Sequence, residues 1–302
     1  MSDPDPQLVR AVAQRLAAAG VPSPQVDARL LLEHVEEVAG PGALRTHPRG
    51  VGGCGVALLD GLIARRVARE PLQQVLGRTW FRTVELRCAP GVFVPRPETE
   101  VVAGAAIDAA RAVPGGARVV EVCTGSGAIA CALLAEAAHV EVVATEVDPA
   151  ALDLARDNVT RTLAGVADPD GPAPGVRGEV REGDLLAPLD AAWRGTVDVL
   201  VANPPYLPAA DRGGWEPEVA DHDPDRALVG GDDGHEVVDR LLRAATSWLR
   251  PGGLVVVEID DRRGPDAQGA ATGAGLVDVD LVTDLTGRDR AVRGYRPDGR
   301  AG

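Results

Sequence analysis

From residue 117 to residue 295, runs of Val, Leu and Ile alternate with segments of helical period, and this alternation leaves few folds open. Residues 118–122, 140–146, 179–181, 197–202 and 254–259 read as strands, most of them rich in Val. Residues 127–137, 149–162 and 235–249 read as the helices between them, and 276–283 with 291–295 as a closing strand pair. Strand followed by helix followed by strand dictates crossover connections, so the expectation is an α/β fold with a mostly parallel, doubly wound sheet. Residues 164–178, rich in Gly, Pro and Asp, read as a surface insertion.

The first third follows a different period. Leu8, Val12 and Leu16 recur at helical spacing, and Ser23-Pro24 supplies an N-cap and first-turn proline for a helix using Val26, Leu30, Leu31, Val35 and Val38. After a Gly-rich break at residues 50–55 comes a third helix with Leu58, Leu59, Leu62, Ile63 and Val67. Around residues 80–94 the pattern turns to alternation, as in a half-buried strand pair, and Pro97 with its flanking carboxylates suits the opening of a helix. The division expected is a helical domain at 1–75, a β-hairpin linker at 76–97 and the sheet domain at 98–302.

Open α/β sheets bind ligands at the carboxyl ends of their strands, so the chemistry belongs in the loops that follow them. Glu121-Val122-Cys123-Thr124-Gly125-Ser126-Gly127 joins the first strand to its helix, where glycine lets backbone N–H groups approach a ligand. Glu146 ends the next strand, the placement of an acid that accepts from a ribose diol. With Cys123 at the first glycine position of a dinucleotide fingerprint, a pyrophosphate cradle is weakened, whereas S-adenosylmethionine has no phosphate and needs none. Asp184 would accept from the adenine amine while Leu185 packs on the ring.

Asn203-Pro204-Pro205-Tyr206 follows the apolar run 197–202. Proline carries no N–H, so the Asn203 side-chain oxygen and the adjacent carbonyl remain acceptors without a local donor. Two acceptors beside a flat ring suit a planar NH2 group, and holding both of its hydrogens aims the nitrogen lone pair at a methyl donor. Asn203, Pro204 and Tyr206 are therefore the expected catalytic residues, and Asn203 to Tyr206 together the expected substrate contact.

Composition narrows the partners. All 31 basic residues are Arg, against 45 acids, for a net charge of −14, which disfavours nucleic acid and anionic membrane. Cys54, Cys88, Cys123 and Cys131 form no C-x-x-C pair, so neither a metal site nor a disulfide framework is expected. No apolar run approaches a membrane span, and the N-terminus is acidic where a signal peptide is basic; a soluble, cytoplasmic protein is expected.

Taken together, these stretches resemble the protein-(glutamine-N5) methyltransferases that act on peptide chain release factors, the PrmC/HemK family. The likeness runs over nearly the whole chain, through EPLQQVLG at 70–77, GVFVPRPETE at 91–100, TGSGAIA at 124–130, RALVGGDDG at 226–234 and DLTGRDR at 284–290. It implies a helical N-terminal domain joined by a β-hairpin to a class I, Rossmann-like methyltransferase domain, with S-adenosylmethionine as cofactor. The implied substrate is the glutamine of the Gly-Gly-Gln tip of class I release factors. Cys123, Thr124, Gly125, Ser126 and Gly127 would hold the methionine part of the cofactor, Glu146 the ribose, Leu185 the adenine region, and Asn203 to Tyr206 the substrate glutamine. The chain departs from the family pattern at Glu121 and Glu146, where Asp is usual, at Cys123, where Gly is usual, and at Asp223-Pro224, where Glu-Pro is common. Arg96 and Glu98 are open between a role in shaping the pocket and a helix-start ion pair. Three rival readings are a glutamine methyltransferase acting on a ribosomal protein, an adenine-N6 DNA methyltransferase, and a non-catalytic S-adenosylmethionine-binding module.

Overall fold

The computed structural model describes residues 4–40, 42–44, 54–166 and 175–298. Most of the Gly-rich break at 50–55 and the middle of the 164–178 insertion lie outside them. The chain divides into two compact units, one running from the N-terminus to Thr79 and including Glu216–His222, the other formed by Trp80–Trp215 and everything from Asp223 onward.

The first unit holds α1 (Pro6–Ala18), α2 (Pro24–Ala39), α3 (Cys54–Val67) and α4 (Leu72–Leu76). Leu16, Leu31, Leu32, Val35, Leu62 and Ile63 form its core, whereas Val26, Leu30 and Val38, expected on the buried face of α2, are exposed. This core also contains a charge. Arg66 is 5% exposed; its Nε donates to Asp27 Oδ2 (2.7 Å), its Nη1 to the Glu70 carbonyl (3.1 Å) and its Nη2 to Glu218 Oε1 (2.9 Å). Glu218 sits on a one-turn helix, α8 (Pro217–Ala220), and also receives both Arg69 donors. Two carboxylates and two guanidiniums thus close a compensated network, without which Asp27 would be a bare buried charge.

Strands β1 (Arg78–Phe81) and β2 (Val84–Arg87) form a two-stranded sheet, followed by α5 (Thr99–Arg111). The helix expected to open at Pro97 begins two residues later. The Arg96 carbonyl accepts from Thr99 N–H (3.1 Å), so the proline lies in the turn ahead of it.

The large sheet is built from β3 (Ala117–Val122), β4 (Val140–Glu146), β5 (Arg177–Glu182), β6 (Val197–Ala202), β7 (Leu249–Glu258), β8 (Val277–Thr283) and β9 (Asp289–Tyr295). Their order is β5-β4-β3-β6-β7-β9-β8, with the first five parallel and β9 antiparallel to both of its neighbours. The strand order reverses between β3 and β6, and this is the switch point at which such sheets open a crevice. Helices α6 (Ala128–Glu136) and α7 (Pro149–Gly165) with α5 cover one face, over Val119, Val142, Val199, Val201 and Val256. The other face carries α10 (Glu236–Trp248) and α11 (Gly264–Gly273), over Val120, Val122, Leu200, Val255 and Val257, while the short α9 (Asp225–Leu228) lies in the long β6–β7 connection. This is the expected doubly wound α/β fold. Sequence periodicity missed α11, whose glycines and proline argue against a helix; burial of Ala267 and Ala271, both 0% exposed, outweighs that propensity.

Replacing Arg66 with Ala strands Asp27 in the first unit's core. Chemical denaturation followed by circular dichroism should show a loss of about 3 to 5 kcal/mol.

Candidate active site

Parallel register sets the site. Val122 of β3 pairs with Thr145 of β4 and Ala202 of β6, and Ala202 pairs with Val257 of β7. The next residue on each strand is Cys123, Glu146, Asn203 and Glu258, so one rung of the sheet delivers all four to its carboxyl edge. Three of them were expected from sequence; Glu258 was not.

The glycine loop leaves β3 with left-handed backbone at Cys123 (φ 56°), Gly125 (φ 57°) and Gly127 (φ 83°). Such alternation turns N–H groups inward. One of them, Gly125 N–H, donates to Glu146 Oε2 (2.8 Å), whose Oε1 accepts from Val147 N–H (2.8 Å) and Asp148 N–H (2.9 Å). The extra methylene of Glu146, compared with Asp, is used in this reach. Gly127 is needed for a second reason, because a side chain there would press on the Ala155 backbone of α7 at 3.3 Å. Asn158 of α7 donates to the Ser126 carbonyl (2.9 Å) and fixes the loop from behind.

Beneath the loop, Glu121 is 1% exposed, and burial pushes its carboxyl up to about 8, with the charge of Glu146 adding and the Thr124 hydroxyl and Ala130 N–H opposing. It is neutral at pH 7. Glu121 Oε2 and Thr124 Oγ1 are buried without a hydrogen bond of standard geometry. A side chain added at Gly125 would meet nothing within 4 Å. Polar atoms lacking partners beside open space are what a polar cofactor can complete.

The structure gives the Asp184 carboxylate to Arg240, in an exposed ion pair. Leu185 is turned by a left-handed backbone (φ 48°), its carbonyl accepting from Thr145 Oγ1 (2.8 Å), and it packs on the core that Cys123 and Tyr206 also border. Glu146 and the glycine loop are therefore brought together, whereas Asp184 is turned to the surface.

Asn203 Nδ2 donates to Thr99 Oγ1 of α5 (3.2 Å), and Tyr206 OH donates to Glu258 Oε1 (3.1 Å). Among the described residues the Pro204 carbonyl receives no backbone N–H. Behind the loop, Leu207 N–H donates to the Leu228 carbonyl (2.9 Å) and Gly230 N–H to the Leu207 carbonyl (3.0 Å). The fit is close: a Cβ at Gly230 would lie 2.4 Å from the Pro205 oxygen, and one at Gly234 2.3 Å from the Tyr206 oxygen. The 226–234 stretch is thus a brace moulded to the proline loop.

Arg96 does not pair with Glu98. Its Nη2 donates to Asp223 Oδ2 (2.6 Å), a carboxylate whose side chain is 0% exposed, and its guanidinium lies 4.9 Å from the centroid of the Phe93 ring. Glu98 is the residue ahead of α5. Glu258, Thr99 and Arg290 are the neighbours that motif reading passed over. The sequence signal was present, since Glu258 closes the apolar run at 254–257 as Glu146 closes its own strand. A groove of about 640 Å³ along α1 and α2, lined by Val9, Ala13, Val26 and Leu30 among others, holds none of these groups.

Gly230→Ala should destabilise the protein by about 1 to 3 kcal/mol, the cost of overpacking against backbone. Gly269→Ala, in α11 with nothing within 4 Å, should have the opposite sign by a few tenths of a kcal/mol or more. Thermal denaturation of the two variants checks the pair.

Residues 7–77 match the PrmC N-terminal domain and residues 86–213 the methyltransferase small domain. The release factor glutamine methyltransferase of Streptomyces coelicolor is 44% identical over 85% of this chain and 85% of its own length. That of Deinococcus radiodurans is 40% identical over 97% of this chain and 98% of its own. Among solved structures, the hMettl16 catalytic domain in complex with the MAT2A 3'UTR hairpin 6 shares the fold, with a TM-score of 0.54 over 78% of this chain and 82% of that one at 16% identity. The rung of residues at the switch point, the braced proline loop and relatives matched nearly end to end place this chain in the release factor glutamine methyltransferase family.

Proposed function

We propose that this chain transfers a methyl group from S-adenosylmethionine to N5 of the glutamine in the Gly-Gly-Gln motif of class I peptide chain release factors. The observation that carries this is the register-fixed Asn203, held one strand away from the glycine loop with its amide pinned by Thr99. In this reading Cys123 to Gly127 and Glu146 hold the cofactor, and the buried Thr124 hydroxyl and Glu121 carboxyl complete a polar floor under it. The cofactor supplies the methyl as an electrophilic sulfonium group.

An amide nitrogen is a poor nucleophile because its lone pair is delocalised into the carbonyl. The protein's task is therefore orientation, which can account for about 7 to 11 kcal/mol of a barrier. Asn203 uses its NH2 on Thr99, which leaves Oδ1 to accept one substrate N–H, and the Pro204 carbonyl accepts the other. With both hydrogens held, the nitrogen lone pair stands perpendicular to the amide plane. Positive charge grows on that nitrogen as the new bond forms, so both acceptors bind the transition state more strongly than the ground state. Tyr206 stays a neutral donor, since burial pushes its phenol up and the nearby Glu258 adds to the rise.

Residues 1–75 carry recognition of the folded release factor in this reading, supported by their having a core of their own. The net charge of −14 favours a protein partner over nucleic acid. A cytoplasmic setting follows from the substrate, and among the described residues no helix is long and apolar enough to cross a membrane.

Incubation of the purified protein with tritiated S-adenosylmethionine and release factors, followed by mass mapping, should place one methyl on the Gly-Gly-Gln glutamine. Label on a ribosomal protein or on adenine in DNA, with release factors unmodified, would overturn the assignment. Asn203→Ala should lower kcat by about 10²-fold or more while calorimetry shows nearly unchanged cofactor affinity.

A further inference from the structure

A buried carboxylate can only accept hydrogen bonds, and this restricts every group linked to it. Glu258 is 1% exposed and receives the Tyr206 hydroxyl on Oε1 (3.1 Å). The Thr99 hydroxyl also acts on this carboxyl as a hydrogen-bond donor, through a looser contact, since Oε2 has no partner of standard geometry. Thr99 Oγ1 meanwhile accepts from Asn203 Nδ2 (3.2 Å). The three groups form a directed chain from the Asn203 NH2 to the Thr99 hydroxyl to the Glu258 carboxylate.

We infer that Glu258 is a positioning residue for the methyl transfer: as a carboxylate it fixes the direction of the Thr99 hydroxyl, which in turn locks the Asn203 amide with Oδ1 toward the substrate. The inference rests on the role of Asn203 given above. Protonation reverses the chain. A neutral Glu258 donates to Thr99 Oγ1, the Thr99 hydroxyl donates to Asn203 Oδ1, and the amide turns over to present its NH2. The Asn203 NH2 then faces the substrate N–H that Oδ1 would have accepted, a donor against a donor, and only the Pro204 carbonyl is left to hold the glutamine. Thr99 opens α5, which packs on the sheet face that carries Val256, two residues before Glu258 on β7.

Burial pushes the Glu258 carboxyl up to about 7, so the two states interchange near neutral pH. The groups facing it are Thr99 and Glu98 from the start of α5, Tyr206 from the proline loop and Arg290 from β9. Thr99, Tyr206 and Arg290 favour the charged form, and Glu98 opposes it. Arg290 is itself held by Asp284 (2.9 Å), and Arg96 acts on Tyr206. The carboxylate is the form that orients Asn203 for transfer, so kcat should rise with pH through about 7 and level off above it.

The experiment measures kcat against pH for release factor methylation, with S-adenosylmethionine affinity by calorimetry, in the wild type, Glu258→Gln, Thr99→Val, Thr99→Ser and Asn203→Ala. Glutamine keeps the shape of Glu258 but offers Thr99 an NH2. Glu258→Gln should therefore lose about tenfold or more in kcat at pH 8 and lose the rising limb, with cofactor affinity unchanged. Thr99→Val should behave like it, while Thr99→Ser, which keeps the hydroxyl, should retain both rate and limb. A Glu258→Gln enzyme with a wild-type limb, or a Thr99→Val enzyme with wild-type kcat, overturns the inference while leaving the role of Asn203 standing. Full kcat in Asn203→Ala would instead overturn the reading beneath it. If Glu258→Gln does not fold, the contrast between Thr99→Val and Thr99→Ser decides alone: equal kcat and equal pH profiles in these two variants reject the relay.

Discussion

The parallel pairing of β3 with β6 is the constraint on which the site depends. Register in a sheet is quantised, because a slip of one residue turns every side chain to the opposite face. Once Val122 is level with Ala202, and Ala202 with Val257, the residues that follow cannot be placed independently. Cys123 opens the glycine loop, Asn203 opens the proline loop and Glu258 ends β7 beside them. Loops are ordinarily the mobile part of an α/β protein, yet here each begins from a fixed rung of buried residues, Val122, Ala202 and Val257. The brace at Gly230 and Gly234 then removes most of the freedom left to the proline loop.

Carboxyl groups at this edge are set to different tasks by their surroundings. Glu146 accepts three backbone N–H groups. Glu121, one strand inward and beneath the loop, has no such donors in ordinary geometry and is held neutral by burial. Glu258 lies between these cases, buried but with Arg290, Tyr206 and Thr99 around it. Burial thus raises Glu121 to about 8 and Glu258 to about 7, while Glu146 is engaged by backbone donors. Asp184, just after the edge strand β5, is exposed and pairs with Arg240.

Much of this was legible in the sequence. Runs 140–146 and 197–202 became strands with those bounds, because their valines suit a sheet buried on both faces. The strand-end positions of Glu146 and Asn203 were legible with them. What could not be read was tertiary. α11 forms despite its glycines because two alanines have a surface to bury. The partner of Arg96 lies 127 residues away at Asp223, beyond the reach of local spacing, which pointed to its neighbour Glu98. Thr99 sat inside a recognised block without a role, and only α5 lying against β6 and β7 gives it one.

The chain's excursion at Glu216–His222 affects how the protein can be made. α1 to α3 bring Asp27 and Arg66 together early in synthesis, but Glu218, which completes the charge balance, is translated 152 residues after Arg66. During synthesis Arg66 and Arg69 are therefore short of an anion until four strands of the large sheet, β3 to β6, and the proline loop have followed. A fragment ending at Thr79 would carry that deficit permanently. The last step in maturing the first unit is thus supplied by the segment that comes directly after the proline loop, so the helical unit reaches its final stability only in a chain that has already synthesised Asn203 to Tyr206.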